Sequence, residues 1–531
     1  MNNFCKSLTG LAALAFAFAF SMLSIPPSSL AQVAGPQVSP AVHHDTSPPL
    51  RNIAPKLPRL QRNDHPVHPL PISAGQPQPD PALQTAPSIV ATPSTTLNFA
   101  GVGNGDYGFA PNAAPPDTNG AVGATQYVQW VNESFAVFNK STGALVHGPV
   151  AGNTLWSGFG GGCETNNDGD PIVQYDKAAG RWVFTQFSVS TTPYLQCVAV
   201  STTSDATGSY SRYSFSYGNT QFPDYPKLGV WPDAYYISFN IFNNGQTFAG
   251  AKVCAYDRSA MLAGSAATQV CFQLSTSFGG LLPSDLDGSL APPSGAPNVF
   301  VNFGTSSLNI WRFHVNFTTP SNSTLTGPIN VPVAAFTAAC SGGGACVAQP
   351  NTRQKLDSLA DRLMYRFAYR NPASGETAVV NHSITVGTSR RNSRVGVRWY
   401  QLGNLTSGTP TVIQQGTFSP DSTSRWMGSI AMDKVGDIAV GYSASSSSVY
   451  PSIFFTGRVP TDPLGTMQGE NQIKLGGGSQ LSNLSRWGDY SAMTVDPVDD
   501  CTFFYSNEYL KASGTFNWST QIGSFKFPGC Q

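Results

Sequence analysis

Charge is scarce in this 531-residue chain: Asp, Glu, Lys and Arg together make up 11% of it, against roughly 25% in an average soluble protein. Its surface must be coated mainly by Ser, Thr, Asn and Gly. Glu is scarcest, with five residues against 24 Asp, a composition that serves turns and starves helices. Long helical bundles and coiled coils are excluded. Lys plus Arg and Asp plus Glu both total 29, so no basic excess exists to attract nucleic acid or an anionic membrane. Beyond the N-terminus no run approaches the ~20 apolar residues of a membrane span, so membrane insertion is not expected. Gly-x-Ser-x-Gly, His-Glu-x-x-His and Gly-Lys-Ser/Thr motifs are missing. Cys-x-x-Cys spacing is missing too, and histidine is rare in the body of the chain, which argues against a structural zinc site.

What is present begins with an export signal over residues 1–31. Lys6 precedes the apolar run Leu11 to Leu23, and Ser29-Leu30-Ala31 offers a small-x-small cleavage site. Cys5 leaves with that signal. Eight cysteines remain, an even set in an exported chain, and sequence-local pairing predicts disulfides 163–197, 254–271, 340–346 and 501–530. Residues 32–95 hold 14 prolines and little apolar periodicity. They read as a Pro-rich linker, extended and partly polyproline, or a removable pro-segment. His43, His44, His65 and His68 fall there and are expected to be solvated.

From about residue 96 short β-branched and aromatic runs alternate with Gly, Asn, Asp and Pro. One unit is legible in full as four strands: 172–176, 181–189, 195–202 and 209–215. The same grammar opens at 116–123, 168–175, 222–231, 284–291, 359–367, 424–433 and 485–496. Each opening is followed by a strongly apolar second strand. The pattern predicts an all-β fold, a seven-bladed β-propeller with four-stranded blades over 96–531. The last unit has three clear strands, so residues 95–101 are expected to supply its fourth and close the ring. A pair of β-sandwiches is the alternative.

The unit at 168–217, with its Asp-containing turn at Thr203 to Tyr210, resembles the sialidase/BNR-repeat superfamily of propellers. Ser419-Pro420-Asp421-Ser422-Thr423-Ser424-Arg425-Trp426 resembles the superfamily's Asp box, with Thr423 in place of Gly and a position before a first strand. The opening Pro115 to Gly123 also resembles a group of exported bacterial propeller proteins. The Phe/Tyr-Arg-Ile-Pro motif of sialidases is absent.

Propeller geometry gathers the starts of first strands and the ends of second strands at one mouth. Arg362, Arg425 and Arg486 occupy equivalent openings, and the resemblance implies an arginine cluster for a substrate carboxylate. The alternative is that each arginine pairs with a nearby Asp. Trp426 and Trp487 are candidate sugar-stacking platforms, and His382 a candidate base at a blade exit. Glycoside cleavage needs two carboxyls. Glu508 with Asp489 is the first candidate pair, and Glu133 with Asp117 the second. No cofactor is required; Asp170, Asp285 and Asp287 form a candidate Ca²⁺ cluster, an ion that takes six to eight oxygens. The expected protein is a secreted, monomeric, carbohydrate-active propeller, a sialidase-like hydrolase of an acidic extracellular polysaccharide or glycoconjugate. The alternative is a non-catalytic glycan- or protein-binding adhesion propeller.

Overall fold

The computed structural model describes residues 35–57, 62–72, 75–84, 90, 92–389 and 392–531. The export signal expected over 1–31 lies outside them. The described chain is nearly all β. Its first sheet runs Asn119–Val122, Gln126–Val131, Ser134–Asn139 and Leu145–Ala151, each strand antiparallel to the one before. A second sheet takes Ile172–Asp176, Arg181–Ser188, Leu195–Ser201 and Tyr210–Ser216 in the same order. The pattern repeats from Gln221–Val230, Leu282–Leu286, Met364–Arg370, Ser424–Met432 and Ala492–Val495. The sheets starting at Leu282 and Met364 are also joined by a short parallel pairing, Ser284–Leu286 against Phe367–Tyr369.

These residues become strands because β-branched and aromatic side chains fit a pleated, packed surface. Tight turns end them: in the hairpin of the second sheet, Asp205 Oδ1 accepts from Thr207 N at 2.9 Å and Thr207 Oγ1 at 2.8 Å. Second strands are buried on both faces. Ala234–Asn243 is buried except at its last residue, and Phe503–Leu510 throughout. That explains why they read as near-continuous apolar runs instead of alternating. First strands abut one another from sheet to sheet, and Ala492–Val495 packs back against Asn119–Val122. Trp518–Phe525 pairs with Leu97–Ala100, Ile522 opposite Phe99.

The four predicted cysteine pairs are all formed: Cys163–Cys197, Cys254–Cys271, Cys340–Cys346 and Cys501–Cys530. Among the described residues no helix is long and apolar enough to cross a membrane.

Two described segments of the proline-rich stretch pair with the sheets. Gln37–Pro40 pairs with Thr268–Gln273 and His43–Thr46 with Tyr210–Ser216, each as an added outer strand. An outermost strand needs only one row of backbone bonds, so proline is tolerated there. The expectation of solvated histidines holds for His43 and His44, which stay exposed, and fails for His65 and His68, which are half-buried. His43 meets the ring of Phe159, His44 stacks on Tyr213, and His68 lies between Phe222 and Phe242.

Sheet-to-sheet packing depends on local absences of side chain. A Cβ on Gly441 would come within 2.3 Å of the Tyr505 ring. Tyr505 cannot swing aside, because its hydroxyl donates to Ser491 Oγ at 3.0 Å and accepts from Asn507 Nδ2 at 2.8 Å. Gly441→Ala is therefore expected to cost about 1–3 kcal/mol by overpacking. Urea denaturation measures it; an unchanged midpoint would contradict this close fit.

Candidate active site

Left-handed backbone marks the openings of several first strands. Asp117 (φ 46°), Asp170 (φ 46°), Tyr225 (φ 56°) and Asp489 (φ 61°) adopt a conformation that non-glycine residues rarely visit. Such strain persists where surroundings over-determine it, and it clusters at functional sites. Here the surroundings are polar. Asn132 Nδ2 donates to Asp117 Oδ2 at 2.9 Å and to Pro115 O at 3.0 Å. Asp170 Oδ2 accepts from Tyr225 N at 3.0 Å. Asp489 Oδ2 accepts from Arg486 Nη2 at 2.6 Å. These openings border one cavity of about 320 Å³, which Asp168, Asp224, Arg362, Arg486 and the N-terminal residues His65 to His68 also line.

The electrostatics are those of carboxyls withdrawn from water. Burial, then the nearby Asp489 and Asp170, pushes Asp117 well above the usual carboxylate range. Burial and Asp224 raise Asp170, against the pull of Lys227. Each carboxyl acts on the other, and the directions fit a proton held by Asp117 beside Asp170. Lys227 is the cation beside them, fully buried, its ammonium 3.5 Å from the Tyr225 ring centre and 3.9 Å from that of Tyr490. Burial lowers its pKa to about 8, while Asp170 and Asp117 hold it from falling further. Two carboxylate oxygens of the site, Asp117 Oδ1 and Asp489 Oδ1, are buried without a hydrogen-bond partner.

Of the residues expected at this mouth, the structure brings Asp117, Asp489, Arg362 and Arg486 to the cavity. Arg362 donates to Asp361 at 2.6 and 3.0 Å and lies 4.3 Å from the Tyr225 ring centre. Arg486 is shared between Asp357 at 2.8 Å and Asp489. Glu133 sits beside the cavity, its Oε2 accepting from Asn112 at 3.0 Å.

The remaining candidates are corrected. Arg425 is held away from the cavity by Asp421 at 2.9 Å and Glu470 at 2.6 Å, so the three arginines do not form one cluster. Trp426 and Trp487 have no exposed surface and pack on one another in the core, where no sugar can stack. His382 is buried among Phe303, Phe336 and Tyr400, and burial pushes its pKa well down. Glu508 is sealed from solvent; its Oε2 accepts from Gly488 N at 2.8 Å, so it supports the turn that carries Asp489. The Ca²⁺ cluster does not fit the ion. Arg366 donates to Asp285 at 2.6 Å and to Asp287 at 2.8 Å, so a guanidinium already occupies their oxygens.

Sequence reading gave no role to Lys227, Tyr225 or Tyr490, and placed Asp170 at a first-strand opening with a chemical role only as a metal ligand. A lysine inside an otherwise apolar first strand, Pro226-Lys227-Leu228-Gly229-Val230, was the available signal.

A larger cavity, about 590 Å³, opens at the other ends of the first strands, around Asp176, Val230, Leu286 and Arg370. Its charges are paired, as in Arg258 with Asp176 at 2.7 Å and Arg370 with Asp500 at 2.5 Å. The unpartnered carboxylate oxygens favour the smaller cavity as the reactive one.

No protein-family model matches the chain, and no curated protein matches it. Among solved structures, it is similar to an endo-arabinase from Bacteroides thetaiotaomicron at 10% identity, covering 68% of this chain and 95% of that one, with a TM-score of 0.26. An exo-β-1,3-galactanase from Clostridium thermocellum gives 9% identity, 81% and 97% coverage, and a TM-score of 0.30. The WD40 domain of SCAP from fission yeast gives 9% identity, 75% and 82% coverage, and a TM-score of 0.30. At such scores the likeness carries no functional argument.

Lys227→Met tests the electrostatics. Without the ammonium, the Asp117–Asp170 pair should hold its proton to higher pH. A carboxyl raised in the folded state costs stability as pH climbs above its unfolded value near 3.8. The two curves should run together until the parent's pair begins to lose its proton and then separate, the variant's falling further. The gap should keep widening above pH 8, because a lysine lowered in the folded state makes the parent more stable as pH rises from there towards 10.5. Urea denaturation across this range reads it; parallel curves would contradict the assigned role of Lys227.

Proposed function

We propose that the protein is an exported seven-bladed β-propeller, closed by the strand Leu97–Ala100, whose axial mouth hydrolyses a glycosidic bond in an extracellular glycan. One observation carries this reading: Asp117, a buried carboxyl pushed towards its neutral form by burial and by Asp489 and Asp170, shares a cavity with Asp489, a carboxylate ion-paired to Arg486. Glycoside cleavage asks for that division between a general acid and a base or nucleophile. Asp117 is the proposed acid and Asp489 the proposed base or nucleophile, with Asp170 and Lys227 setting the proton's place. Arg362 and Arg486 face the cavity and would favour a substrate with acidic or oxygen-rich substituents, the sialidase-like element of the proposal. Four disulfides support an extracellular setting.

A second reading, a non-catalytic glycan- or protein-binding propeller, is favoured by a specific feature: both arginines already have carboxylate partners.

A broad glycan hydrolysis and lyase screen separates the two. Asp117→Asn and Asp489→Asn should each lower turnover by about 10²–10⁴-fold. Asp421→Asn, remote from the cavity, should leave it unchanged. Glycan binding without turnover would select the second reading.

A further inference from the structure

The candidate cavity is lined on one side by the chain's own N-terminal segment, which is held by side chains of the mouth itself. Asn63–Asp64 runs parallel to Ala113–Ala114, with Asn63 N donating to Asn112 O at 2.7 Å and His65 N to Ala114 O at 2.8 Å. Next, Arg486 Nε donates to His65 O at 2.7 Å and Arg362 Nη2 to His68 O at 3.2 Å. At the far end Leu70 N donates to the Asp361 carboxylate at 2.8 Å, and the Leu70 side chain is buried beside Gly279 and Gly280. Two histidines add ion-pair contacts: His65 Nε2 lies 3.6 Å from Glu133 Oε1, and His68 Nδ1 lies 3.5 Å from Asp224 Oδ2. The segment thus crosses from the approach to the first sheet to the loop before Met364–Arg370, with His65 to His68 forming one wall of the cavity.

We propose that residues 63–70 are an autoinhibitory arch, an internal ligand whose backbone carbonyls take the hydrogen bonds that Arg362 and Arg486 offer to the true one. The word inhibitory rests on the hydrolase reading above; the occupancy does not. Two consequences follow from the contacts. A polymeric ligand enters the mouth only when the arch leaves. The site it then meets presents two guanidiniums seeking acceptor oxygens, which suits a polyhydroxylated chain as well as a peptide carbonyl.

The arch is also sensitive to pH. Burial opposes protonation of His65, but Glu133 and Asp170 outweigh burial and Arg486, so its pKa is raised. Asp64 is the other charged group next to it. Asp224 beside His68, with Asp170, raises that residue against burial and Arg362. A histidine raised on docking contributes stability that is complete below its undocked value of about 6.5 and is lost as pH rises through the docked value. The arch should sit tightest in acid and loosen above neutrality.

Amide hydrogen exchange at His65 and Leu70 of the full chain tests this, corrected for intrinsic rates. Protection should fall at least tenfold in the double variant His65→Ala/His68→Ala, and in the parent between pH 5 and 8. A full-length variant with residues 65–68 replaced by Gly-Ser-Gly-Ser should bind a synthetic peptide of residues 62–72 at least tenfold more tightly than the parent does. Equal protection in parent and double variant, or equal peptide binding, overturns the arch. Equal glycan hydrolysis by the parent and the Gly-Ser variant overturns inhibition. A Gly-Ser variant that binds the peptide yet hydrolyses no glycan supports the arch and overturns the hydrolase reading instead.

Discussion

Around its axis this chain buries carboxyls that need nearby cations. Asp117, Asp170, Asp285, Asp287, Asp361 and Asp489 are largely withdrawn from water, and Lys227, Arg362, Arg366 and Arg486 are the cations set among them. Burial of an unpaired charge costs several kcal/mol, so the positions of these groups are fixed by each other more than by local backbone preference. Arg366 shows the satisfied limit, with Asp285, Asp287 and the carbonyl of Met493 all accepting from it. The mouth shows the unsatisfied one. Asp117 and Asp170 are both raised by burial, although Arg486 pulls on the first and Lys227 on the second.

That imbalance distinguishes the two ends of the axis. At the wider cavity each guanidinium has its carboxylate, an arrangement that braces turns. At the narrower one carboxylate oxygens are left over, on strand openings held in left-handed conformation. Strained backbone aims Asp117, Asp170 and Asp489 at a common space, and Glu508 beneath Gly488 keeps one of those turns in place. The chemistry of the site is therefore inseparable from the burial that surrounds it: exposing Asp117 to water would return its proton to solvent.

Much of the fold was legible in the sequence because its signals are local. The four disulfides join cysteines 6 to 34 residues apart, and the second sheet's strands fall where aromatic and β-branched runs were read. Side-chain direction was not legible. Trp426 lies inside Ser424–Met432, where left-handed Met427 and a register shift between Trp426 and Ser429 bend the strand, Trp487 lies ahead of Ala492–Val495, and both indoles pack inward. Arg425 shares the Arg-Trp pair of Arg486 but meets Asp421, four residues before it as the alternative reading had it, and Glu470, which lies far along the chain. The outer-strand pairing of Gln37–Pro40 and His43–Thr46 was not legible for a different reason. Composition reports what a segment can bury alone, whereas edge pairing uses backbone groups and borrows its partner's core.

Cover and floor of the mouth are coupled through shared cations. Arg486 donates to Asp357, Asp489 and the carbonyl of His65, and Arg362 to Asp361 and the carbonyl of His68. A guanidinium that loses its carbonyl acceptor keeps its carboxylate, so departure of the arch would not strand a buried charge. It would free donors pointed into a cavity already rich in carboxyl oxygen. Any incoming group must then satisfy those donors while tolerating Asp117 and Asp489 nearby, which selects neutral or partly acidic oxygen-bearing chains over cations with no acceptor to offer. The same side chains that hold residues 65–70 would thus define what the cavity takes in their place.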